Sequence, residues 1–340
     1  MGRDMLRRAL EVADKSGDIT FAGYCHVSLT SNLAASGDPL IDVQRETEIG
    51  LSAAQRARFE FVSDFLSAHL GLARTLRGLT PTFGSFDGAG FDQLEIERRF
   101  VSNPNLTLAE ISYRIRELQA HFFAGDYAAA IDASLAAQKL PWTAVSQFVE
   151  TADHRFYGAL AQAASWDLAG SDQRAGHFEA LVDHYRQLQI WGESCPENFE
   201  NRAALVGAEI ARIEGRHLDA QSLYERAIQS ARDNGFIHNE ALAYETAARF
   251  YAARGFKEFS RLYLRNARDR YLRWGADGKV RHLDETYPSL WAEERPLGPT
   301  NTIGAPVEQL DLATVIKVSQ AASSEVVFKR LIDTLMGTAI

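Results

Sequence analysis

The chain has no unbroken apolar run of the roughly 18 residues that a membrane-spanning helix needs, so no span is expected in its 340 residues. Its first residues, "MGRDMLRRALEVADKSGD", are charged and lack the apolar middle of a secretory signal. Cysteine is scarce. Cys25 and Cys195 stand far apart in a large chain, which excludes a disulfide framework and leads us to expect a reducing, cytoplasmic setting. Both are expected to act as small buried apolar residues. There are only nine prolines and few β-branched runs, and alternating strand patterns are hard to find. The formal net charge of -9 argues against nucleic acid as a partner. What remains in quantity is Ala, Leu, Glu, Arg and Gln, the helix formers.

Glycine is placed on a schedule. Gly215, Gly235, Gly255 and Gly275 are twenty residues apart each time. Between them the apolar residues recur at spacings of three and four, as in Ala220, Leu223, Tyr224, Ala227, Ile228 and Ala231. Each glycine therefore marks a helix end, where a positive φ is often required. A helix of about 16 residues is about 24 Å long. Two such helices with their turns make an antiparallel hairpin of forty residues, repeated.

Small residues sit at fixed offsets within the hairpin. From Gly215 the offsets of five, nine and twelve reach Ala220, Tyr224 and Ala227. From Gly125 they reach Ala130, Ser134 and Ala137, and from Gly255 they reach Ser260, Leu264 and Ala267. Small, larger, small is what two closely crossing helices require. The pattern is that of a tetratricopeptide (TPR) repeat with a period longer than the usual 34 residues. The expected fold is all-α, a TPR-like superhelical stack of helix hairpins (an α-solenoid). A hairpin is expected around Gly17 and Gly37, and a long helix over 53–79. Further helices are expected near 92–102, 106–124, 126–139, 144–169, 173–192 and 198–214. The helical repeat domain is expected to cover 1–291. A Pro/Gly linker with Pro296, Pro299 and Pro306 follows at 292–309, and a helical arm at 310–340.

Few residues suggest chemistry. The stretch "TPTFGSFDGAGFD" (80–92) holds Gly84, Gly88 and Gly90, but no Lys follows and no strand precedes, so it reads as a flexible connector rather than a phosphate cradle. His177 and His184 are seven apart on one helix face, with Ala180 and Leu181 between them there and Glu179 and Asp183 on another face. That spacing is not HExxH, and an ordinary solvated helix accounts for it. Catalytic residues, cofactors and metal are not expected. Residues 249–281 carry ten basic and three acidic side chains. Arg261, Arg265 and Arg268 form one stripe there, opposite Tyr263, Ala267, Tyr271 and Trp274; it reads as a solvated face, with partner docking as the sharper alternative.

The segment "CPENFENRAALVGAEIARIEGRHLDAQSLYERAIQSARDNGFIHNEALAYETAARFYAARG", with "GDITFAGYCHVSL", "NPNLTLAEISYRIRELQAHFFAGDYAAAI", "HRFYGALAQAA" and "YLRWGADGKVRHLDETYP", resembles the TPR-like helical region of very large bacterial sensor kinases. Those proteins run from a Ser/Thr-kinase-like domain through an AAA ATPase and TPR-like helices to a GAF domain and a histidine kinase. "LDLATVIKVSQAASSEVVFKRLIDTLM" is similar to the segment leading into their GAF domain. The resemblance implies a non-catalytic protein-interaction and signal-relay module, with the flanking ATPase, GAF and kinase domains or a second subunit as partners. It carries over no catalytic residue, because no P-loop, HRD, DFG or histidine-kinase box is present. The alternative is a regulatory receptor that holds a peptide or small ligand in the concave face of the stack.

Overall fold

The computed structural model describes residues 2–88, 91–141 and 149–288, which belong to one compact unit, Met1–Leu290. The expected linker and arm, and the part of a helix expected at 144–148, lie outside the described residues. Fourteen α-helices and no strand occur among the described residues. They are α1 (Gly2–Ser16), α2 (Ile19–Ser36), α3 (Leu40–Arg56), α4 (Glu60–Leu76), α5 (Gln93–Ser102), α6 (Thr107–Ala124) and α7 (Tyr127–Lys139). The remainder are α8 (Val149–Leu168), α9 (Ser171–Ser194), α10 (Pro196–Ile213), α11 (His217–Asp233), α12 (Ile237–Ala253), α13 (Lys257–Trp274) and α14 (Asp277–Thr286). No helix of the described residues is long and apolar enough to cross a membrane.

The glycine schedule has a local cause. Gly215, Gly235, Gly255 and Gly275 all adopt left-handed backbone, with φ of 77°, 78°, 83° and 83°. Each time the next amide reaches back across the turn, as Arg216 N–H does to Ala211 O at 2.8 Å and Phe256 N–H to Tyr251 O at 2.9 Å. These bonds satisfy carbonyls that the helix end would leave orphaned. The chain then reverses, and α10 packs on α11 and α12 on α13 along their lengths.

The nine residues at the hairpin offsets, among them Ala130, Ala137, Ala220, Tyr224, Ala227 and Ala267, are all buried. Ala220 and Ala227 face the crossing, and the Tyr224 ring between them packs on Phe250 of α12 with centroids 5.3 Å apart. Ala227→Trp is therefore expected to lower stability by about 1–3 kcal/mol through overpacking. Thermal melting of the two proteins checks this; equal midpoints would mean that the crossing has room for an indole.

The long helix expected over 53–79 is two helices. They break at Ala57–Phe59, where no glycine or proline marks the turn. Arg58 takes a left-handed conformation, φ 55°, and Phe59 N–H donates to Ala54 O at 2.9 Å. Phe59 packs against Gly23 of α2, where an added Cβ would lie 3.0 Å from the ring. The break is set by this packing, which no local pattern reveals. The connector at 80–88 is pinned as well. Phe86 is buried, Gly84 N–H donates to the Thr75 hydroxyl at 2.8 Å, and Gln93 accepts from Phe86 N–H at 3.0 Å.

The stack also makes contacts that an open array of neighbours lacks. α14 packs on α4 and α6, and α2 reaches α8. Gly78 and Gly278 meet so closely that a Cβ on Gly278 would stand 2.5 Å from Thr75 O and 2.6 Å from Gly78 N. Arg281 donates to Gly78 O at 2.8 Å, and Phe83 stacks on His282. Because backbone, not a yielding side chain, lies in the way, Gly278→Val is expected to part α14 from α4 and to cost about 1–3 kcal/mol. Hydrogen exchange at the α14 amides checks it: unchanged protection would show that the contact has slack.

Candidate functional site

The centre of the unit is ionic. Asp153 of α8 lies between two guanidinium groups, Arg116 of α6 at 2.9 Å and Arg202 of α10 at 2.9 Å. All three side chains are buried. Arg202 Nη1 is close enough to Asp153 for an ion pair but misaligned for a hydrogen bond. Burial pushes the Asp153 carboxyl up, yet Arg202 and Arg116 together outweigh it and hold it below its ordinary range. Glu150, one turn earlier, accepts from the Ser31 hydroxyl at 2.7 Å and stands 3.9 Å from Arg116. One carboxylate pair thus ties α2, α6, α8 and α10.

Histidines ring this centre. His69 Nδ1 donates to Phe65 O at 3.1 Å, which leaves the bare Nε2 facing Glu150 at 3.7 Å. Burial, reinforced by Arg116, pushes His69 down to about 3, so the contact with Glu150 is not an ion pair. His238 of α12 is likewise pushed to about 3 by burial and then by Arg202. Between His69, Arg116, Gln119, Asp153, His238 and Trp274 lies a cavity of about 30 Å³, room for one or two waters. Arg116 Nε, Gln119 Oε1, His69 Nε2, His238 Nδ1 and Trp274 Nε1 make no hydrogen bond to protein. The cavity thus has the polar lining that an ordered water needs.

Further out, α10 and α12 carry two more inward carboxylates, Glu209 buried and Glu245 largely so. Glu209 accepts from Arg212 and from the Tyr224 hydroxyl. Glu245 takes Lys279 Nζ at 2.9 Å and the Tyr271 hydroxyl at 2.7 Å, while Lys279 also donates to Phe123 O at 3.0 Å. The lysine carries α14 into the interior. No sequence motif marks this network; its one local trace is charged residues set inside apolar stripes, such as Arg116 with Tyr113 and Ala120 on the same face.

The residues singled out by sequence are dispersed. His184 is buried rather than solvated: its ring meets His154 edge-on at 5.4 Å, and a Cβ on Gly158 would stand 2.8 Å from its Nε2. Burial pushes His184 to about 3 and His154 to about 4. His177 is half-buried and bonded to Gln162 at 2.7 Å, and Asp183 pairs with Arg155 at 2.8 Å. No group of three His, Cys, Asp or Glu side chains among the described residues could hold a metal ion. Cys25 is buried, but Cys195 is only half-buried, at the one-residue joint between α9 and α10, where its sulfur accepts from Asn198 Nδ2 at 3.1 Å. Arg261 pairs with Glu258 at 3.2 Å, and Arg268 grips Asp284 of α14 through two bonds of 2.8 and 2.9 Å. Arg265 is exposed. The stripe is therefore partly a strut between α13 and α14.

Searches of the chain against protein-family models and against curated proteins find no match.

Proposed function

We propose that this chain is a non-catalytic protein-interaction and signal-relay module, the helical part of a bacterial sensor kinase, which links an ATPase-type switch to a downstream sensor and histidine kinase. The observation that carries the relay half of this reading is the bridge at Asp153. A carboxylate held by Arg116 and Arg202 joins α6, α8 and α10, one helix from each of three successive hairpins. A displacement of one hairpin then strains the next through a buried ion pair, which tolerates little stretch. The kinase half rests on the resemblance of the quoted segments.

Two measurements test it. The open reading frames on either side of the gene, or the same frame beyond this chain, are expected to encode a P-loop ATPase and a GAF and histidine-kinase pair; a locus without them removes the kinase context. The purified chain is expected to take no label from radioactive ATP, and label on any histidine would overturn the non-catalytic reading. The receptor alternative has an open pocket of about 530 Å³ lined by Ser134, Gln138, Gln162, Phe178 and His184, within the roughly 300–1,000 Å³ of small-molecule sites, and saturable binding of a peptide or small ligand there would favour it over the relay.

A further inference from the structure

Of the fifteen residues of α1 only Ala13 is buried. Leu6 and Leu10 are half-buried on the same side, which is turned to α2. A second apolar stripe, Met5, Ala9 and Val12, follows the helical spacing of four and three and faces outward. Met5 is 61% exposed and Val12 65%. Between Ala9, Val12 and Ser16 of α1 and Phe21 at the start of α2 runs an open groove of about 390 Å³. Phe21 is itself 60% exposed, so stripe and groove form one apolar surface.

The charges beside the stripe select its partner. Asp4, Arg8, Glu11 and Lys15 follow one another along one flank and alternate in sign. Arg8, Glu11 and Lys15 are exposed and enter no ion pair among the described residues. A flank without net charge favours neither an acidic nor a basic partner, nor an anionic lipid surface. It is complementary to itself. A two-fold axis across the helix lays α1 antiparallel to its copy and brings the same flanks together. With Arg8 level with Glu11 of the second copy, Glu11 is level with the copy's Arg8 and Lys15 with its Asp4. Opposite signs then meet all along the flank. The same register sets Met5 level with residue 14 of the copy, between Val12 and Ser16, where the groove lies. We propose that α1 is a homodimer contact, in which two copies pair antiparallel, Met5 of each enters the groove of the other, and Arg8 and Glu11 form two reciprocal ion pairs. This surface goes beyond the relay reading and does not depend on the kinase context. α1 is about 22 Å long, so the contact belongs with interfaces below about 1,200 Å² and a micromolar dissociation constant is expected.

Sedimentation velocity of the full chain tests it over about 1–100 µM, where the parent is expected to pass from monomer to dimer. Arg8→Glu sets carboxylate against carboxylate at both ends of the contact, and Glu11→Arg sets guanidinium against guanidinium. Each is expected to weaken the dimer by about 10-fold or more, since two attractions become two repulsions. The melting temperature of either variant's monomer should stay within a few degrees of the parent's, because both side chains already face solvent. Mixing the two variants puts opposite signs back at both ends, and a mixed dimer of about the parent's affinity is expected. Val12→Asp, which places a charge in the stripe itself, should remove the dimer. Raising salt should weaken the parent dimer. A parent that stays monomeric throughout the range would overturn the proposal. So would single variants that dimerise as the parent does, which a parallel pairing or a contact elsewhere would give, or a mixture of the two that stays monomeric.

Discussion

Asp153→Asn is expected to cost about 3–5 kcal/mol of unfolding free energy, the loss typical when one partner of a buried ion pair is removed. The amide keeps the shape of the carboxylate but not its charge. Arg116 and Arg202 then stand in the interior facing a neutral group, and Glu150, 3.9 Å from Arg116, is the nearest remaining counter-charge. Urea unfolding of parent and variant measures the loss. A second variant separates charge from shape. Arg116→Met, Asp153→Leu and Arg202→Met, with Glu150→Gln because Arg116 is the cation beside it, together remove all the charges of the centre, and replacing a buried ionic cluster by neutral side chains is often neutral or stabilising. Recovery of most of the lost stability in this combined variant is the expected outcome. A loss below about 1 kcal/mol in the single variant would mean that the centre is wet enough to solvate the guanidiniums unaided.

Acid is expected to destabilise this protein while its carboxylates are still ionised. His69, His184 and His238 are held at about 3, and His154 at about 4, chiefly by burial. Unfolded, each returns to about 6.5. Below that value the unfolded chain takes up protons that the native chain refuses. The stability these groups contribute is therefore complete above pH 6.5 and drains as pH falls toward their native values. One pH unit below 6.5 each histidine costs about 1.4 kcal/mol, so the four together cost about 5 kcal/mol between pH 7.5 and 5.5. That rivals the whole stability of many domains. The carboxyls of Asp64, Glu110 and Glu117 are raised, chiefly by burial, and act in the opposite sense, but nearer the carboxylate range. Urea unfolding at pH 7.5, 6.5 and 5.5 checks the slope, and His184→Gln should reduce it by about a quarter. A flat profile would show that the histidines charge in place.

The offsets from Gly215 and Gly125 named Ala220, Ala227, Ala130 and Ala137, and these residues are buried because helix pairing is a local matter. Antiparallel neighbours joined by a short turn must cross near fixed positions, so the period and the small residues suffice to find the crossing. From α10 to α13 each helix ends at a glycine for a reason equally local, the left-handed turn. All-helical class, hairpin register and the repeat of forty residues were therefore legible from Gly215 to Gly275.

What lay beyond reach depends on residues distant in sequence. The α3–α4 break needs Phe59 against Gly23, and the pinned connector needs Thr75 and Gln93. The union of α4 with α14 needs two glycines 200 residues apart to meet, and neither carries a local mark of that meeting. The ionic centre is the plainest case. Arg116, Asp153 and Arg202 each read as an ordinary charge on an amphipathic helix, and His184 as a solvated one. Only the packing of α6, α8 and α10 removes their water and leaves them one another as partners. Sequence by itself determined the helices and how neighbours pair, because those rest on bonds and contacts within some forty residues. Tertiary structure decided which charges are buried, because burial belongs to the stack and not to any one helix.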